Sequence, residues 1–165
     1  MKFKRKIKAI TLKRPWSWAI AHSTKRIENR TWNCYLEVGD YLAIHAGKGW
    51  DNSAIPFMRN CMNLNCPESK KDHPTGIVAI ARFSGNITES DDPWFMGPIG
   101  WQLDNVISIE PVPCSGMQGL WAFKDDVLQQ CRDRYKESLI SHRQRDPVVA
   151  SATGMIPTFF SCQGD

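Results

Sequence analysis

The run Gly76 to Phe83, GIVAIARF, limits the fold more than any other stretch of the chain. It has the length of a strand, is almost wholly apolar and is rich in branched residues, so it belongs at the centre of a sheet. Gly100 to Pro111 is a second extended candidate, with Trp101, Leu103 and Ile107 alternating, and the two read as central strands. Ile7 to Leu12 and Tyr41 to Ala46 add two more, the first ending at Lys13-Arg14 before Pro15 and the second closed by Gly47-Lys48-Gly49, which places Lys48 on a turn.

The helical signals are short. Pro15 suits a first helical turn, and Trp16, Ala19 and Ile20 then form one apolar face as far as about His22. Asp125 or Asp126 can cap a second helix through Tyr135, with Val127, Leu128 and Cys131 on the same face. Residues 51–74 read as an excursion from the core: a helix fits before Cys66, whereas Pro67 to Pro74 is polar and turn-rich. Asp91 to Pro98 holds too much Pro and Gly for a regular element, yet it carries Trp94 and Phe95. Strands without a βαβ rhythm, flanked by short helices, predict a small mixed α+β barrel, with residues 1–165 forming one domain.

Composition excludes several classes. Charge is mixed and the apolar fraction ordinary, which argues for a globular chain rather than a disordered one. No run approaches the ~20 apolar residues of a membrane span and no signal peptide is evident, so the expected location is the cytoplasm, without a membrane partner. The six scattered cysteines read as free thiols. Cys61 and Cys66, with His73 beyond them, lack the second ligand pair of a structural zinc site, and neither metal nor cofactor is expected. The net charge of +4 is concentrated at Lys2, Lys4, Arg5, Lys6 and Lys8 and again at His142, Arg143 and Arg145, which suits a phosphate-bearing partner, although basic ends are also common on solvated surfaces.

The densest chemical signal is Lys13-Arg14-Pro15-Trp16 followed by Ser23 to Trp32, STKRIENRTW. If Lys25 to Trp32 is extended, Lys25, Ile27, Asn29 and Thr31 share one side, and Arg26, Glu28, Arg30 and Trp32 the other. Exposed Lys, Arg and Glu on a surface strand need no function. The indoles shift that balance: they offer faces on which bases stack for about 1–3 kcal/mol each, while Lys and Arg meet phosphate and Glu accepts from an exocyclic amine.

Six ordered blocks resemble the activating signal cointegrator homology (ASCH) domain of the PUA-like superfamily: LKRPW from Leu12, KRIENRTW from Lys25, IHAGK from Ile44, GIVAIA from Gly76, WFMGPIGWQL from Trp94 and PCSGMQGLW from Pro113. The signature G-x-K-x-x-E-x-R of that family falls on Lys25, Glu28 and Arg30, with Ser23 where glycine is usual. The resemblance implies a PUA-like β-barrel with flanking helices and a cleft at its mouth that receives RNA, DNA or a nucleoside. It further implies Trp16 and Trp101 as stacking walls, Lys48 as a phosphate or oxyanion partner, and Arg14, Arg30, Trp32 and His45 as ligand contacts. His45 is equally well a hydrogen-bonded core histidine, and Trp94, Phe95 and Trp121 suit ordinary packing.

Some ASCH-like proteins resemble amidohydrolases that deacylate acetylated cytidine through a threonine at the signature glutamate position. Glu28 cannot be that nucleophile, although beside Lys25 it could serve as a base toward water. Another ASCH-like group is associated with RNA cleavage, for which Lys48 with Lys25 or His45 supplies the residue types. Three functions are therefore carried: a nucleic-acid or modified-nucleobase binding module first, a hydrolase on modified nucleosides or RNA with Lys25, Glu28 and Lys48 as catalytic candidates second, and a protein-interaction adaptor third.

Overall fold

The computed structural model describes residues 4–145; Lys2 and Cys162 lie outside that range. The elements follow in the order β1 (Ile7–Arg14), α1 (Trp16–His22), β2 (Ile27–Arg30), β3 (Tyr41–Trp50), α2 (Ala54–Met62), β4 (Gly76–Ile87), β5 (Ile99–Val112), β6 (Leu120–Trp121) and α3 (Asp125–Arg145). A single 3-10 turn at Lys70–Asp72 interrupts the connection from α2 to β4.

The strands make one mixed sheet in the order β2-β5-β4-β3-β1-β6. The β1–β3 pair is parallel and the remaining pairs are antiparallel. The two apolar runs read from the sequence are thus neighbours at the centre, as β4 and β5. Burial on both faces explains the composition of β4, whereas β5 alternates buried Trp101 and Leu103 with less buried positions and carries exposed Asp104 and Glu110. On one face Ile7, Ala9, Tyr41, Ala43, Ile77 and Ile80 pack against Val127, Leu128, Cys131 and Tyr135 of α3. On the other, Ile10, Leu12, Leu42, Ile44, Val78 and Trp101 pack with Ile20 of α1. A third cluster joins Ala19 and Ile27 to Ala54 and Met58 of α2 and to Trp94. No helix among the described residues is long and apolar enough to cross a membrane.

The architecture is α+β, but the expected barrel gives way to an open ladder. Among the described residues β2 pairs only with β5, and β1 is flanked by β3 and the two-residue β6. The sheet nevertheless curls far enough for the Arg30 guanidinium on β2 to donate to the Thr11 carbonyl on β1 at 3.4 Å. Side chains therefore occupy the seam where a further ladder would have closed the structure.

A second correction concerns Gly47-Lys48-Gly49, which is extended backbone inside β3 and not a turn. The end of β3 pairs with the end of β1, Arg14 opposite Trp50. The glycines make room for side chains of the adjacent strand: a Cβ on Gly47 would lie 2.9 Å from Thr11 Cγ2, and one on Gly49 would lie 3.2 Å from Lys13 Cγ. The α3 helix also runs ten residues past Tyr135, to Arg145, as a charged extension that the apolar periodicity does not reveal.

Gly76 is a strict requirement of the central ladder. Its φ is +107°, and a Cβ would lie 2.4 Å from the Val112 carbonyl oxygen, which is backbone and cannot swing aside. Gly76→Ala is expected to lower stability by more than about 1 kcal/mol, read as a reduced urea midpoint with an unchanged m-value.

Candidate functional site

The Arg14–Pro15 junction turns the chain sharply from β1 into α1, which starts at Trp16. The helix ends at Ser23, whose extended backbone (φ −135°) is open to any residue and whose hydroxyl donates to the Ala19 carbonyl at 2.6 Å. Serine thus serves at the position where the signature carries glycine. Arg26 does not join Glu28 and Arg30 on one face. It turns back to the helix terminus, donating to the carbonyls of Ile20, Ser23 and Lys25 at 3.2, 3.0 and 2.9 Å.

Lys25 takes the place that strict alternation gave to Arg26. Only Ile27–Arg30 is regular strand, and the bend before it lets the Lys25 ammonium reach forward to the Ile27 carbonyl and to Glu28 Oε2, the latter at 3.2 Å. Glu28 Oε1 accepts from Arg30 at 3.1 Å. Lys25 is 3% exposed and Glu28 8% exposed. This is a carboxylate buried between two cations, each of its oxygens engaged once, and every member of the chain needs the others because a charge left alone in such surroundings is costly.

The group forms the floor of a cavity of about 410 Å³ in the seam between β1 and β2, within the ~300–1,000 Å³ range of small-molecule sites. Thr11, Leu12 and Lys13 contribute one wall from β1. Trp16 forms a second, steadied by donation of its indole N–H to Asp51 Oδ2 at 2.9 Å. Hydrogen bonds from Ser53 and then Trp16 hold the Asp51 carboxyl below its usual range, so it is an anion facing the cavity at neutral pH. Phe57 of α2 and Trp94 complete the aromatic lining, their rings 5.9 Å apart. Asn29 pins the Trp94 loop, its amide donating to the Trp94 carbonyl at 2.9 Å and accepting from the Met96 N–H at 2.8 Å.

A second cavity of about 850 Å³ adjoins the first, sharing Thr11 and Arg30, and is lined by Trp32, His45, Lys48 and the loop Ser115 to Gly119. His45 is buried, its Nε2 2.9 Å from the Cys114 carbonyl and its ring edge-on to Trp121. Only a protonated Nε2 can bond a carbonyl, and burial holds the ring's pKa below its ordinary value, so at neutral pH Nδ1 carries a lone pair. Nδ1 has no hydrogen-bond partner among the described residues. Gly116 closes over this edge: a Cβ there would lie 2.6 Å from Nδ1 and 2.4 Å from Thr11 Oγ1.

The sequence-derived candidates therefore divide. Lys25, Glu28, Arg30 and Trp16 meet in the first cavity. Trp32, His45 and Lys48 lie in the second, and Lys48 does not meet Lys25 and Glu28 as a catalytic set. Trp101 is fully buried and lines neither cavity. It is a support: Trp32 meets it edge-on at 4.7 Å, and the Arg30 guanidinium lies 5.8 Å from its ring centre. Arg14 also lines neither, because its guanidinium straps β1 to the carbonyls of His73 and Lys48, each at 2.9 Å. Asn29, Asp51, Phe57 and Trp94 join the site without having been singled out for it. Asn29 lay within the charged block, whereas nothing in the local pattern marks Asp51 or Phe57. Cys66 and His73 share a different acceptor, the Pro67 carbonyl, at 3.6 and 2.7 Å. Among the described residues, no three metal-ligating side chains converge.

No protein-family model matches the chain, and no curated protein sequence matches it. Among solved structures, similar ones include crystal structures of two mutants of the ZmASCH protein from Zymomonas mobilis. Both neighbours are ASCH structures. Each is 14% identical to this chain with a TM-score of 0.49; they cover 78% and 79% of this chain, and this chain covers 98% and 96% of theirs.

Glu28→Ala leaves the Lys25 ammonium buried without its counter-ion and is expected to destabilise the fold by about 3–5 kcal/mol in chemical denaturation. The paired change Lys25→Met with Glu28→Gln removes both charges at nearly constant volume and is expected to recover most of that loss. Equal stability of the single and paired variants would show that the ion pair does not govern this floor.

Proposed function

We propose that the first cavity binds a nucleobase, with Trp16 as the stacking surface and Glu28 as the hydrogen-bond acceptor that orients it. The observation that carries this reading is the state of Glu28 at the cavity floor. A carboxylate offers about four lone-pair sites, and Lys25 and Arg30 each take one. Capacity remains for a donor edge, such as the exocyclic amine of a cytosine-type or purine base, modified or not. Asp51 supplies a second acceptor in the same lining, beside the rings of Trp16, Phe57 and Trp94.

Recognition is favoured over hydrolysis by the same geometry. As a base toward water Glu28 would take up a proton and so give up the charge that compensates Lys25 and Arg30, whereas an orienting acceptor keeps that charge in place. A module of this kind selects among RNA, DNA and free nucleosides by what surrounds the base.

The test is isothermal titration of the purified protein with a panel of nucleosides, modified nucleosides and short RNA and DNA oligomers, with mass spectrometry of the mixtures afterwards. Amine-bearing bases are expected to bind and to be recovered intact. Glu28→Gln, which keeps the shape and loses the charge, is expected to weaken that binding by about 10–100-fold, the equivalent of one charge-assisted hydrogen bond. Undiminished affinity in that variant would remove Glu28 from the recognition step, and a shortened or deacylated product would make the cavity an active site.

A further inference from the structure

The two adjoining cavities both carry cations and differ in where the carboxylates lie. The first sets two carboxylates, Glu28 and Asp51, among Lys13, Lys25 and Arg30. The second has no Asp or Glu in its lining, and its charged members are Arg30 and Lys48. The Arg30 guanidinium belongs to both. It spends one nitrogen on Glu28 and reaches Thr11, while its Nε has no hydrogen-bond partner among the described residues. A phosphate entering the first cavity would meet two carboxylates beside its cations, whereas in the second it would meet cations with no carboxylate, together with Ser115 and the glycine-containing loop that follows.

We propose that the second cavity is a phosphate subsite of the same cleft, so that the ligand is a nucleotide whose base enters the first cavity while its phosphate lies beside Arg30 and Lys48. This rests on the nucleobase reading of the first cavity. It goes beyond that reading by making the phosphate a required part of what is recognised. Arg30 then has one task on each side: one terminal nitrogen holds Glu28 in the orientation that reads the base, and the other is left for the phosphate. The half-buried Trp32 and the exposed Met117 at the border of the second cavity give an apolar rim against which the sugar or a neighbouring base can lie. The phosphate can come from a free nucleoside monophosphate or from the backbone of a strand, and the same chemistry serves both.

Titrations of a nucleoside, its 3′- and 5′-monophosphates, ribose 5-phosphate and a tetranucleotide test the proposal on the wild type and on Lys48→Glu. Lys48 is solvent-exposed, and only its backbone carbonyl takes part in the Arg14 strap, so the variant keeps that contact. At least one monophosphate is expected to bind tenfold or more tightly than the nucleoside, with Lys48→Glu erasing the gain and leaving nucleoside affinity unchanged. A further gain for the tetranucleotide, with a steeper fall in affinity as salt rises, would identify a strand as the source; equal affinity for the tetranucleotide and the better monophosphate would identify a free nucleotide. Equal binding of the nucleoside and all its phosphorylated forms, or a phosphate gain that survives Lys48→Glu, would overturn the subsite. Binding of ribose 5-phosphate that depends on Lys48, in the absence of any nucleoside binding, would instead retain the subsite and overturn the nucleobase reading.

Discussion

Glu28 sits between Lys25 and Arg30 in a place from which water is almost excluded, and the geometry of the cleft follows from the need to keep that carboxylate paired. The pairing draws Lys25 out of strand alternation and anchors Arg30 at the seam, where it reaches β1. Beneath it lies Trp101, fully buried, which supports the Arg30 guanidinium and the Trp32 ring together. Mutating the floor for function thus also probes the stability of the sheet edge. The paired substitution at Lys25 and Glu28 separates the two effects because it removes the buried pair together and leaves only Arg30, which is partly exposed to solvent, without its carboxylate.

The open seam explains why the site is where it is. A ladder between β1 and β2 would satisfy backbone groups and fill the space with closely packed strands. The short β2 instead faces β1 across a gap, and the gap is lined by side chains drawn from six separate parts of the chain. Two fixed pieces keep it open. Asn29 holds the Trp94 loop by both halves of its amide, and Asp51 holds the Trp16 indole while tying down Ser53 before α2. The walls are therefore set before a ligand arrives, which limits the ordering cost of binding.

The confinement of the carboxylates to the first cavity is a consequence of topology. β2 lines the first cavity with Glu28 and Asn29 and β3 lines the second with His45 to Lys48, while Arg30 and Thr11 border both. Lys48, which looked in sequence like a companion to Lys25, is carried to the other side by the extension of β3. His45, on β3 with two strands between it and β2, is buried beneath Gly116 with one nitrogen committed to the Cys114 carbonyl. Its position fits the hydrogen-bonded core histidine as well as a member of the second cavity, since it is both.

Local physics made much of this legible. Apolar runs of strand length located β4 and β5 and the cores of β1 and β3, because residues buried on both faces of a sheet leave a signal within a few positions of themselves. The α1 helix was marked by Pro15 and a three-and-four spacing, and the Lys25, Glu28 and Arg30 set by its density of opposite charges beside indoles. Tertiary structure decided whatever depends on residues far apart in the chain. It assigned Trp101 to the core, since an indole reads alike in a wall and in an interior. It assigned the glycines flanking Lys48 to make room for Thr11 and Lys13, a need set by the neighbouring strand. It also left the sheet open, and it brought Asp51 and Phe57 to the cleft, because closure and convergence are properties of the packed chain and no short stretch of sequence encodes them alone.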